Sequence, residues 1–144
     1  MLIQQILADK STQGVLTVAP CSKVEEATHI LSAKGIGALI VSEDGVHPAG
    51  IITERDIVRE LGKRGAAALQ DPVDDLMTTK LVTCGPGDRA LRVLKLMTEG
   101  HFRHMPVLEE GKMLGLVSIG DVVKGRLKEL SEQNEALKSM IMGY

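Results

Sequence analysis

The segment Gly50-Ile51-Ile52-Thr53-Glu54-Arg55-Asp56-Ile57-Val58 returns 65 residues later as Gly115-Leu116-Val117-Ser118-Ile119-Gly120-Asp121-Val122-Val123. Each copy reads glycine, two aliphatic residues, a hydroxyl residue, two spacers, aspartate and further aliphatics. A repeat on this scale makes the chain two copies of one unit, each too small to bury its own sheet. The 144 residues suffice for one good core, or for two small ones packed together.

The duplication extends upstream. Thr17-Val18-Ala19-Pro20 matches Thr83-Cys84-Gly85-Pro86, and Val41 to Gly45 matches Val107 to Gly111, both at an offset of 66. The offset falls by one after Gly45, where the first hairpin loop is one residue longer. Ile6-Leu7 matches Leu76-Met77. Each unit opens with a short β-branched strand, Val15 to Val18 or Leu81 to Cys84, that ends at a proline. Apolar residues at helical spacing follow: Val24, Ala27, Ile30 and Leu31, then Ala90, Val93, Leu94 and Met97. Next come strands Ala38 to Ser42 and His104 to Leu108, turns centred on Gly45 and Gly111, and strands Gly50 to Thr53 and Leu114 to Ser118. A helix begins near Asp56 and near Asp121.

These elements divide the chain into a first repeat over 1–62, a linker over 63–72, a second repeat over 73–125 and a helical extension over 126–144. In the extension Val123, Leu127, Leu130, Asn134, Leu137 and Ile141 alternate in steps of four and three, as a and d positions do. This stripe packs against its own domain or a symmetry mate; Gly125 weakens it.

Composition narrows the functions. Net charge is −2, so no bulk field favours nucleic acid or an anionic membrane. Phe102 and Tyr144 are the only aromatics, too few for single-strand stacking platforms. Cys21 and Cys84 fall at non-equivalent positions and suggest neither a disulfide framework nor a zinc site. No apolar stretch approaches the roughly 20 residues that span a bilayer, and the amino terminus lacks signal-peptide character. The expectation is a cytoplasmic protein. His101 and His104 have metal-like spacing, but on a strand an i, i+3 pair faces opposite ways, so no metal site is expected. There is no P-loop, and Gly35-Ile36-Gly37 opens a strand rather than a helix, against a dinucleotide fingerprint. No catalytic set stands out.

The duplicated Gly-aliphatic-aliphatic-Thr/Ser-x-x-Asp motif, Asp75-Leu76-Met77 ahead of copy two, and Arg103-His104-Met105-Pro106-Val107 resemble the cystathionine-β-synthase (CBS) domain. From about Ile3 to Val123 the chain looks like a tandem CBS pair, or Bateman module. Copy one departs from the pattern at Gly37-Ala38-Leu39-Ile40-Val41, which lacks the basic pair and proline. The resemblance implies an α+β fold of two β-α-β-β-α repeats packed face to face with pseudo-two-fold symmetry. It also implies adenosine-nucleotide binding in clefts between the repeats, and a homodimer.

Two readings of the motif stand side by side. Thr53 near the N-cap and Asp56 near the third helical position form a capping box, with Asp in place of Glu. A carboxylate here can also accept from both hydroxyls of a ribose. The resemblance assigns that second role to Asp56 and Asp121, with Thr53 and Ser118 beside them. It also implies that Arg103 and His104 face the phosphates of a ligand held by Asp56, a task suited to arginine's fork. Gly37 and Ala38 offer nothing equivalent to a ligand held by Asp121, so unequal sites are expected. Thr17, Thr83, Arg55, Phe102 and Met105 are further candidates. For Thr17 and Thr83 β-propensity is the plainer account, for Phe102 core packing, and for Arg55 a solvated helix start.

The function expected is a non-enzymatic regulatory module. It senses AMP, ADP, ATP or NAD(H) and signals through conformation or the dimer to an effector protein of unknown identity. The alternative is a structural or interaction module with empty clefts, its carboxylates serving only as helix caps.

Overall fold

A computed structural model describes residues 1–10 and 15–143; residues 11–14 of the expected first repeat and Tyr144 of the expected extension lie outside it. The elements in order are α1 (Ile3–Asp9), β1 (Thr17–Val18), α2 (Val24–Lys34), β2 (Ala38–Val41), β3 (Gly50–Thr53) and α3 (Glu54–Arg64). A 3-10 turn (Gly65–Gln70) and α4 (Val73–Leu76) lead to α5 (Ala90–Gly100), β4 (His104–Glu109), β5 (Lys112–Ser118) and α6 (Ile119–Met142). Most of residues 63–72, read as a linker, are helical. α3 continues to Arg64 and the alanine-rich run coils into the 3-10 turn, with Ala68 buried.

In copy one β1 pairs parallel with β2 and β2 antiparallel with β3, Ala38 lying opposite Thr53. In copy two β4 and β5 form a two-stranded sheet. The strand expected over Leu81 to Cys84 shrinks there to a single parallel bridge between Cys84 and Val107. β2 is buried along its whole length, as its unbroken Ala-Leu-Ile-Val run requires.

The chain forms two compact units. One gathers residues 1–13, 83–108 and 115–144; the other gathers 14–82 and 109–114. The sequence repeats and the compact units are thus different partitions. α1 opens copy one in the chain but packs with copy two. Ile3 and Ile6 share a core with Val93, Met97, Met105, Val107, Val117 and Val122. Symmetrically, α4 opens copy two but packs with copy one, where Val73 and Leu76 join Val24, Ala27, Leu31, Leu39 and Ile52.

The backbone repeats this exchange bond for bond. Ile3 N–H donates to Asp88 C=O and Ala90 N–H to Met1 C=O, both at 2.9 Å. The counterparts are Val73 N–H to Ser22 C=O at 2.7 Å and Val24 N–H to Asp71 C=O at 2.8 Å. The motif glycines permit the close approach. A Cβ on Gly50 would stand 2.6 Å from Met77 Sδ and 2.9 Å from Thr78 O, and one on Gly115 2.7 Å from Leu7 Cδ2. Leu7, in α1, and Met77, the residue that caps α4, are equivalent in the repeat.

Candidate functional site

In each unit a strand runs straight into a helix, and the hydroxyl residue of the motif is the N-cap. Thr53 N–H donates to Asp56 Oδ2 at 3.0 Å, and Asp56 N–H donates to Thr53 Oγ1 at 3.2 Å. Ser118 N–H donates to Asp121 Oδ2 at 2.9 Å, and Asp121 N–H to Ser118 Oγ at 3.1 Å. Both copies form complete capping boxes, satisfying helix-start donors that otherwise lack partners.

A third strand-end contact recurs. Glu54 N–H donates to Gly37 C=O at 2.9 Å, and Ile119 N–H to Arg103 C=O at 2.7 Å. Positions 37 and 103 are therefore docked by their backbones onto the first turn of the motif helix of their own unit. The Arg103 side chain is exposed and His104 is half-buried at the start of β4.

The two carboxylates differ in their cationic partners. Arg59, one turn along α3, donates from Nη2 to Asp56 Oδ1 at 2.8 Å, and the Asp56 side chain is only 8% exposed. Both Asp56 oxygens thus carry a bond. Asp121 is 26% exposed and receives Lys10 Nζ on Oδ2 at 2.8 Å, while the same ammonium donates to Leu116 C=O at 2.8 Å. Among the described residues, Asp121 Oδ1 has no hydrogen-bond partner. Among the described residues Lys10 spends two of its three donors. Burial raises the Asp121 carboxyl, but the Lys10 and Ser118 hydrogen bonds outweigh it and hold the group below its ordinary 3.8.

Neither Lys10 nor Arg59 was singled out from sequence. Arg59 was available as an i, i+3 partner of Asp56. Lys10 carries a subtler signal: it matches Lys80 in the same register that pairs Ile6-Leu7 with Leu76-Met77. The Asp121 corner thus holds a cation from the leading segment, at a place other than Gly37 and Ala38.

The remaining candidates scatter. Met105 is 0% exposed within the core shared by α5 and β4, and Ala38 is buried in β2. Phe102 packs against that core and lies over Gly100, where a Cβ would stand 2.3 Å from its ring. Ile36, its equivalent, packs on the other core. Thr17 is half-buried in β1, whereas Thr83 and Arg55 are exposed. Among the described residues no three His, Cys, Asp or Glu side chains gather as metal ligands, and no helix is long and apolar enough to cross a membrane.

Comparison with known proteins matches this geometry. The CBS-domain family model covers residues 7–63 and 73–128. A curated relative, the mitochondrial CBS domain-containing protein CBSX3 of Arabidopsis thaliana, is 39% identical over 124 residues; the match covers 83% of this chain and 60% of that protein. Over 88% of this chain and 99% of its own, the crystal structure of the CBS-domain protein ATU1752 from Agrobacterium tumefaciens superposes with a TM-score of 0.82 at 40% identity. The CBS domain pair of MJ0100, in complex with 5′-methylthioadenosine and S-adenosyl-L-methionine, shares the fold with a TM-score of 0.78 at 21% identity, covering 90% of this chain and 98% of that one. The chain belongs to the CBS-domain family and is a tandem pair of CBS domains.

Proposed function

We propose that this CBS pair is a regulatory module that binds an adenosine-containing ligand through Asp56 and Asp121, with Thr53 and Ser118 beside them. AMP, ADP, ATP and NAD(H) are the ligands to test, and the working assembly is a homodimer that reports ligand to an effector protein. The observation that carries the reading is the duplicated strand-to-helix corner. A hydroxyl and a carboxylate survive at both helix starts while the residues between them change from Glu54-Arg55 to Ile119-Gly120. A CBS pair of the same fold holds adenosine-containing ligands, and CBS domains serve generally as regulatory, non-catalytic modules. Among the described residues Asp121 Oδ1 is free and one Lys10 donor is spare, and these suit a ribose hydroxyl and an anionic substituent respectively.

Calorimetric titration with the four nucleotides is the test. Binding of at least one below about 1 mM supports the reading, and binding of none at that level overturns it.

The complete capping boxes favour a second reading, in which the carboxylates serve the helices alone. It expects Asp56→Ala to cost about 1 kcal/mol of stability while leaving every nucleotide titration unchanged.

A further inference from the structure

The helix α6 overruns the family match, which stops at 128, and residues 131–143 are exposed without exception. A helical segment of this length has little stability of its own in water. Its local support is thin: Lys138 and Glu135 stand 4.0 Å apart in the open, a pair worth very little. Something must cover it.

One face is suited to being covered. Val123, Leu127, Leu130, Leu137 and Ile141 range from 39% to 75% exposed, although each is aliphatic. With about 100° per residue they and Asn134 fall within one narrow stripe. That stripe lies roughly a third of a turn from the face that Val122 and Gly125 present to the core and to α1. Gly125, which weakens the helix on sequence grounds, is there because a Cβ would stand 2.9 Å from Ile6. The two faces are used independently, and the outer one has no partner among the described residues.

The identity of the partner follows from Asn134. It sits in the middle of the stripe at an a position, with Leu127 and Ile141 at a and Val123, Leu130 and Leu137 at d. A buried amide needs both a donor and an acceptor. An identical helix running parallel and in register supplies them, because Asn134 then meets its own copy. Antiparallel pairing would bury it against a leucine. The flanking positions agree: in the parallel register Arg126 lies near Ser131, and Gln133 near Lys138, so no like charges meet.

We propose that α6 pairs with α6 of a second copy of this chain as a short, parallel, in-register coiled coil centred on Asn134. The association is independent of nucleotide, and it aligns the second repeats of the two copies side by side.

Site-directed cross-linking of the full chain tests it. Cys21 is exposed and is first replaced in a Cys21→Ser background; Cys84 is buried, its thiol pushed up to about 11 by burial, and stays inert. In the proposed register, paired a positions lie within disulfide reach, so Asn134→Cys should close an intermolecular disulfide under mild oxidation. Glu132→Cys, on the outer face, should cross-link at least ten-fold less, and adding Leu137→Glu to Asn134→Cys should abolish the cross-link while the chain still melts cooperatively. Equal yields at 132 and 134, or no cross-link at 134, overturn the proposal. So does preferential cross-linking between Asn134→Cys and Leu130→Cys chains, which marks an antiparallel pair.

Discussion

Lys10 changes the character of the Asp121 corner. In copy one the carboxylate is neutralised from within its own helix by Arg59, whereas in copy two the cation arrives from a residue far away in sequence. The Asp121 carboxyl, held below 3.8, contributes stability that is fully present above the ordinary carboxylate range. That contribution is lost as pH falls through the lowered value. Urea melts of wild type and Asp121→Asn should therefore converge as pH drops from 6 toward 3, the wild type losing more; parallel losses would contradict the ion pair. Lys10→Gln should reproduce the flatter acid limb. On the ligand side the same substitution should weaken AMP more than adenosine, because only AMP carries an anion for the ammonium, as paired titrations will show. Sequence reasoning reached the carboxylates but not Lys10. Chain order assigns that residue to copy one, and only the exchange of leading helices brings it to copy two.

Among the elements, the glycine of each motif proves to be a packing device, and the two copies tolerate its loss differently. At Gly50 a methyl group meets both Met77 and the backbone oxygen of Thr78, which cannot yield; at Gly115 it meets only the tip of Leu7. Gly50→Ala should cost about 1–3 kcal/mol in denaturant titrations, and Gly115→Ala distinctly less. Equal costs would contradict the assigned contacts. Helix ends differ too. α2 closes on Gly35 at φ +62°, while α5 closes on His101 at φ +56°, a left-handed position that disfavours a side chain. His101→Gly should raise stability by about 0.5 kcal/mol, and a fall would show that the imidazole has compensating contacts. The helices and central strands were legible because the apolar periodicities of α2, α5, β2 and β3 report burial directly. The 3-10 turn over 65–70 was not, since Gly and Ala mark a linker as readily as a packed coil. The strand expected over Leu81 to Cys84 reads too long because β-propensity cannot announce a missing neighbour.

For the whole molecule, duplication explains the architecture and divergence explains the chemistry. Each compact unit combines one repeat with the leading helix of the other, so neither repeat is complete when cut at its sequence boundary. The tail adds a surface that neither repeat possesses. The central claim is that the motif carboxylates anchor an adenosine ligand beyond capping their helices, and Asp→Asn separates the two roles. Asparagine keeps an oxygen for the N-cap N–H but loses the charge. Titration of AMP into wild type and into Asp56→Asn/Asp121→Asn is the most direct measurement. At least ten-fold weaker binding in a variant that still melts cooperatively is the outcome expected. Unchanged AMP affinity in the doubly substituted protein would contradict the account and leave the motif as a pair of helix caps.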